Sequence, residues 1–406
     1  MSSSFSKSLG KHLNKLIPGP PLFAPEGEVR NMVVYPLFPS KLHPDPPDMV
    51  TLSEAMRRGV ALKDTGVVSR VHLENPLPTS VLAGESEILI GSTQLRAVQF
   101  SCLIPPERRI ALPVNCVEEG QPANYQAKFE RSDACPWNLR SFKMAQMAEH
   151  GEPPQYWIWD KIKDDLRSSR TVSTTNDLHA ILDQNAYSLK NLSPLFPVQP
   201  GQVGAVCAVN QDLYLELFAD PEILEDRYNY LLRSALVEAV AHPGDKVIPS
   251  EMVPQFLNQV VDASQKSRLL EGRGLKDSGR SLAFADKNIT GSALVAHGQL
   301  IHLSAHQNCL GFSKPFVDQQ PDLEMSRQDW EAENPHFYTD LEDRYADRRK
   351  RYRAFKDKLK PLQKSEPSPA GMKSSATEEP AADNAIPPLP LSPYLHDFFH
   401  QLFRRE

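Results

Sequence analysis

A chain of 406 residues, 40% hydrophobic and 24% charged, holds enough apolar material for one large core or two ordinary ones, which excludes wholesale disorder. A formal net charge of −6 argues against a nucleic-acid partner, and no apolar run reaches the roughly 18 residues of a membrane-spanning helix. With 36 prolines against 19 glycines, an architecture of long helices is excluded too, because each proline removes a backbone donor and blocks the turn before it.

Residues 1–30 carry Lys7, Lys11 and Lys15 with no acid before Glu26, and lack the apolar stretch and cleavage site of a secretory signal. They read as a frayed tail in preference to a short basic helix, and the protein as cytoplasmic. The folded body is expected over 31–312, β-rich in 31–120 and mixed in 121–312. Met32 to Phe38 is the first strand; Leu52 to Arg58 is a short helix capped by Thr51, with Glu54 completing a capping box. Strands follow over 60–64, 67–73, 80–82, 87–90, 95–103 and 109–117, separated by turn residues at 8–12-residue spacing, which predicts a sandwich or barrel-like unit.

Beyond Gly120, helices are predicted over 140–150, 156–170, 176–185 (capped by Thr175), 221–240 and 250–269, with a hairpin at 203–218 and two strands within 291–306. The fold class is therefore α+β: a β-rich N-terminal unit with an α/β portion packed on it. A charged helical extension (313–360), a Pro/Ser-rich linker (361–393) and an amphipathic docking helix (394–406) complete the chain. Leu395, Phe398, Phe399, Leu402 and Phe403 fall on one helical stripe, so residues 385–406 are expected to engage either this domain or a protein partner.

Five scattered cysteines match neither a zinc knuckle nor a redox pair, and read as buried thiols. Three groups of residues are candidates for chemistry. In Gly84 to Arg96, the carboxylates of Glu85 and Glu87, the amide of Gln94 and the guanidinium of Arg96 surround Gly91, a set suited to a polar ligand or to a charged turn. In Leu112 to Gly120, strand alternation puts Cys116 and Glu118 on one face, where a carboxylate needs a partner or a ligand. His302 and His306 also share a strand face, with His297 nearby; they are weak metal candidates, and structural histidines are the plainer reading.

The segments MVVYPLF, VTLSEAMRRGVALKDT, RVHLENPLPTSVLAGESEILIGSTQLR and IALPVNCVEEG resemble, in order and spacing, the ADP-ribosylglycohydrolase and rhodanese-phosphatase-superfamily-associated protein domain, a largely bacterial family. PPQYWIWDKI, VGAVCAVNQDLYLELFADPE and GSALVAHGQLIHLSAH continue the likeness to about residue 310. The family's turn prefers Lys and Asn where this chain has Thr93 and Leu95, and Arg-Trp where it has Gln121-Pro122. What the resemblance implies is a role near ADP-ribose or nucleotide metabolism, in bacterial conflict systems for example, without fixing a reaction. On that reading Gly91, Gln94, Arg96 and Cys116 line a site for ADP-ribose, an NAD-derived ligand or a related phosphorylated nucleotide. Glu85 and Glu87 would meet its hydroxyls, and Glu118 would serve as base or anchor. The alternative is a non-enzymatic adaptor working through its C-terminal segment. The cofactor is left unassigned by the sequence.

Overall fold

The computed structural model describes residues 2–24, 29–40, 47–244, 248–270 and 279–307; the expected extension, linker and docking helix, with Cys309, lie outside them. Eight α-helices are described: α1 (Ser2–Leu13), α2 (Leu52–Arg57), α3 (Trp137–His150), α4 (Gln155–Ser168), α5 (Ala180–Gln184), α6 (Ala186–Leu192), α7 (Pro221–Ala241) and α8 (Met252–Ala263). Among the described residues, none is long and apolar enough to cross a membrane.

The fold is α+β, as the sequence indicates, and is organised around two sheets. A nine-stranded antiparallel sheet runs in the order Leu16–Pro18, Met32–Pro39, Gly204–Val209, Asp212–Phe218, Gln299–Gln307, Ile289–Ala296, Arg280–Ala285 and Arg268–Leu270, with Leu22–Phe23 also on the second strand. A seven-stranded sheet runs from Lys128–Phe129 through Ala61–Asp64, Arg70–Asn75, Arg108–Cys116, Arg96–Val98 and Ile88–Ile90 to Arg131–Asp133. Its two edge strands are consecutive in the chain, parted by Glu130 alone, so the sheet curls to near closure. Three short strands, Cys102–Ile104, Ser80–Ala83 and Met49–Thr51, form a third sheet in which the last pair is parallel.

Strand periodicity decides which core each side chain enters. From the second strand of the large sheet, Val33, Tyr35 and Leu37 join the core that includes Leu9 and Leu13 of α1 and Val253, Phe256 and Val260 of α8. Met32 and Val34 join the opposite core, with α3, α4 and α7. The same alternation in Leu213–Phe218 sends Leu213, Leu215 and Leu217 toward α1 and α8, and Tyr214 and Phe218 toward α3 and α7. Glu216 therefore faces the helices in the middle of an apolar strand.

Several expectations need correction. The first residues form α1, not a frayed tail: Leu9 and Leu13 are buried, and Ser6 Oγ donates to the Val261 carbonyl. Met32–Pro39 belongs to the large sheet, not to the N-terminal β unit: it pairs with Gly204–Val209 on one edge and with Leu16–Pro18 and Leu22–Phe23 on the other, and its six successive buried residues reflect a core on each face. The run 95–103 is two strands in two sheets, broken at 99–101. Residues 176–179 are not helical: the Asp177 carboxylate takes the His179 N–H at 2.7 Å, and Asp177 pairs with Glu118 as an isolated β-bridge. Helix α8 ends at Ala263, and Ser267 is extended into the strand Arg268–Leu270. Thr51 does cap α2, accepting the Glu54 N–H at 3.1 Å, but the Glu54 carboxylate turns to Arg57 and Arg58, leaving the capping box half made.

Candidate functional site

Antiparallel pairing sets Cys116 opposite Arg96, which brings the Gln94–Arg96 segment against the end of the strand Arg108–Cys116. The Arg96 guanidinium is sealed from solvent: Nη1 donates to Gln94 Oε1 at 2.6 Å and lies 3.6 Å from Cys116 Sγ, while Nη2 meets Asp64 Oδ2 at 3.4 Å. Asp64 also receives N–H bonds from Gly66 at 2.8 Å and Asn124 at 3.3 Å. Gln94 Nε2 donates to the Glu118 carbonyl at 2.8 Å, and Glu118 Oε2 takes the Leu95 N–H at 3.1 Å. Four of the residues singled out in the sequence, Gln94, Arg96, Cys116 and Glu118, are thus assembled in one place, joined by Asp64.

Glu118 is the least buried member of this group, 8% exposed. The bridge to Asp177 is closed on either side by Leu178 N–H to the Val117 carbonyl (3.1 Å) and Gly120 N–H to the Thr175 carbonyl (2.7 Å). Burial pushes the Glu118 carboxyl up to about 7, with the Asp177 charge adding to it; the Thr175 hydroxyl, the Leu95 N–H and Arg96 pull the other way. Burial raises the Asp177 carboxyl as well. At about 7 the Glu118 carboxyl is half protonated near neutral pH and can give or take a proton there. The Cys116 thiol is pushed up to about 11 by burial and stays protonated. Its backbone is held by Gln155 at the start of α4, whose amide accepts the Cys116 N–H and donates to its carbonyl at 2.9 and 2.8 Å, in the manner of a neighbouring strand. Gly91 shapes the approach: it sits at φ 122°, and a Cβ there would stand 2.6 Å from the Glu130 nitrogen.

Glu85 and Glu87 point elsewhere, into a buried ionic seam between the curled sheet and the large one. Glu85 is met by Arg140 Nε at 3.2 Å and Lys143 Nζ at 3.3 Å. Glu87 pairs with Arg227 at 2.8 Å, whose guanidinium lies 4.0 Å from the centre of the Tyr230 ring. Arg140 also forks onto Glu216 at 2.9 and 3.1 Å while stacking on Trp137. Lys143 donates to the Val98 carbonyl at 2.7 Å.

His302 and His306 face the same side of their strand but serve different partners. His302 Nε2 lies 3.1 Å from Glu216 Oε1, and Nδ1 lies 2.7 Å from Ser101 Oγ. A carboxylate only accepts, so in the neutral ring Nε2 carries the proton and Nδ1 takes the Ser101 hydroxyl. Ser101 Oγ in turn accepts the Glu85 N–H at 2.8 Å. The order of groups is that of a serine nucleophile, a base and an orienting acid, but all three are at most 3% exposed, and the chain is a closed structural relay. His306 stacks on Tyr214 at 4.5 Å and bonds Ser141, and burial pushes it down to about 3, leaving it neutral. Among the described residues, no group of three or more His, Cys, Asp or Glu is arranged to hold a metal ion.

The sequence reading did not single out Asp64, Asp177, Arg140, Lys143, Glu216 or Arg227. A signal existed for Glu216, a lone carboxylate at a helix-facing position of LYLELF, and for Arg140 and Lys143, which lie one helical turn apart.

Residues 23–306 match the family described as the ARG and Rhodanese-Phosphatase-superfamily-associated Protein domain, a span that takes in almost all of both sheets and every residue of the site. No curated protein and no solved structure matches the chain.

Proposed function

The chain belongs to the ARG and Rhodanese-Phosphatase-superfamily-associated Protein domain family, and from that premise we propose that it binds ADP-ribose or a related phosphorylated nucleotide and handles a proton of that ligand, or of a water beside it, through Glu118. The family's association, with ARG read as ADP-ribosylglycohydrolase, supports the ligand class. The observation that carries the role of Glu118 is its position: a carboxyl raised to about 7 at the least buried end of a charge-paired cluster. Arg96 and Gln94 brace that end from within, the Arg96 Nη atoms meeting Asp64 and Gln94 Oε1 and Gln94 Nε2 donating to the Glu118 carbonyl, while Arg96 Nε is buried without a hydrogen bond.

The test is calorimetric titration of the full chain with ADP-ribose, followed by turnover against pH. We expect saturable binding, and a pH limb near 7 that Glu118→Gln abolishes. No binding, or an unchanged limb in Glu118→Gln, refutes the reading. Stability gives an independent check on the same carboxyl. Its folded pKa lies above its unfolded value of 4.5, so its contribution is lost as pH rises from there through about 7. Glu118→Gln should match wild type at pH 4 and exceed it above pH 7, by at most about 3 kcal/mol at 1.36 kcal/mol per pH unit.

A further inference from the structure

Residues 173–179 lie against Glu118 and are held there by bonds of their own. The Asp177 N–H goes to Ser173 Oγ at 2.8 Å, and Asn176, in the left-handed region at φ 51°, reaches back through Nδ2 to Glu119 Oε2 at 2.8 Å. With the Leu178 N–H on the Val117 carbonyl beside them, Glu118 and Asp177 face each other as the non-hydrogen-bonded kind of antiparallel pair, in which side chains stand closest. Facing residues of this kind project to one side of the ladder, with about 5 Å between their Cβ atoms. Two carboxyls so placed do not ionise independently: the charge of one holds the proton on the other.

Behind Asp177 stands a positive charge. Asp177 Oδ1 takes the His179 N–H at 2.7 Å. The His179 ring is buried, with Nε2 2.9 Å from Asp133 Oδ2 and Nδ1 3.0 Å from Asp183 Oδ2. A carboxylate only accepts, so both ring nitrogens donate and the ring is an imidazolium. Burial opposes that charge, but Asp133 and Asp183 overcome it and raise the His179 pKa. Arg233 at 3.1 Å and Arg131 at 3.6 Å meet the same Asp133 oxygen. Burial pushes the Asp177 carboxyl up and Asp183 adds to the rise, while the His179 N–H and ring charge pull it back. Starting from 3.8 against 4.5 for Glu118, Asp177 is the first of the pair to ionise. The other groups around Glu118 do not supply this bias: Arg96 draws it the opposite way, the Cys116 thiol is neutral, and Glu119 is paired with Lys163 at 3.1 Å.

We propose that Asp177 and His179 are positioning residues for the Glu118 proton: the His179 imidazolium keeps Asp177 ionised, and the Asp177 charge keeps the proton on Glu118. This inference rests on the role of Glu118 given above and deepens it, since the relay sets the pH at which Glu118 exchanges that proton.

The test reads Glu118 directly. In the full chain with isotope-labelled carboxyls, the Glu118 resonance, identified by its loss in Glu118→Gln, is followed against pH by NMR, and the pH limb of ADP-ribose turnover is recorded beside it. Asp177→Asn keeps an oxygen to accept the His179 N–H but removes the charge, so the Glu118 titration should move down by about one pH unit. His179→Gln removes the imidazolium, and the carboxyl pair should hold its last proton more tightly, moving the titration up by roughly half a pH unit. A merely structural role does not send the two variants in opposite directions. Asp177→Asn is the variant that preserves the loop, and an unmoved Glu118 titration in it overturns the proposal, as does an unchanged or lowered titration in His179→Gln. A resonance that moves as stated, with no turnover or with an unmoved turnover limb, upholds the relay and sinks the role of Glu118 in turnover. A turnover limb that vanishes in Glu118→Gln, with a resonance indifferent to Asp177→Asn, does the reverse.

Discussion

Replacing Arg140 by leucine tests whether the ionic seam holds the two sheets together. Arg140 is 4% exposed and satisfies two carboxylates, Glu216 through a fork at 2.9 and 3.1 Å and Glu85 at 3.2 Å. Leucine restores the apolar volume but leaves Glu216 with His302 alone and Glu85 with Lys143 and Ser86. Breaking a buried pair from one side costs about 3–5 kcal/mol, because a charge is stranded away from water. At about 2–4 °C per kcal/mol for a large domain, the midpoint should fall by roughly 6–20 °C.

The loss should also depend on pH. Burial pushes the Glu216 carboxyl up, but Arg140 and His302 overcome it and hold the group well below the usual range. A depressed carboxyl stabilises the fold above its unfolded pKa of 4.5, and that stabilisation fades as pH falls toward the folded value. Without Arg140 the contribution is gone, so the gap between wild type and variant should be full at pH 7 and narrower at pH 4. Urea unfolding followed by circular dichroism at both pH values measures this, and Arg140→Leu with Glu216→Leu should recover at least half of the loss. A cost below about 1 kcal/mol at pH 7, or an equal cost at the two pH values, would refute the reasoning.

Gly91→Ala should destabilise by well over the roughly 1 kcal/mol of an ordinary glycine replacement, since φ 122° and a 2.6 Å approach to the Glu130 backbone both oppose a Cβ. Gly59→Ala, at φ 102° with nothing within 4 Å, should cost less, and thermal midpoints of the pair compare strain alone with strain plus collision. In the native protein at pH 8, Cys102, Cys116, Cys135 and Cys207 should resist iodoacetamide and become labelled in urea, because all four are buried with raised pKa values. Mass-spectrometric mapping reads this out, and native labelling of Cys116 would show its strand end to be open.

Local chemistry was legible where it is decided locally. The periodicity of Pro221–Ala241 gave α7, and Asp220 caps it through the Glu222 N–H at 2.9 Å. The two-residue repeat around Cys116 put its side chain and that of Glu118 within reach of one segment, as Cys116 Sγ beside Arg96 and Glu118 Oε2 on Leu95 now display. What failed depends on partners distant in sequence. Glu85 and Glu87 look like surface charges on a turn until α3 and α7 supply Arg140, Lys143 and Arg227. Residues 176–179 have helical spacing, yet Glu118 claims them as a bridge. A basic N-terminus reads as a loose tail because its apolar cover, α8, begins more than 230 residues later.

The strand Met32–Pro39 carries a consequence for biosynthesis. It is buried from Met32 to Leu37, and its sheet neighbour Gly204–Val209 emerges roughly 165 residues after it. At about 5–20 residues per second, one of the most apolar segments of the chain waits on the order of ten to thirty seconds for the edge it must pair with. Meanwhile the curled sheet, contained within Ala61–Asp133, can close on its own sequence. The ribosome therefore releases a curled sheet tethered to an aggregation-prone ribbon with one edge open, and we expect yield in cells to respond to chaperone supply and translation speed far more than equilibrium stability would suggest.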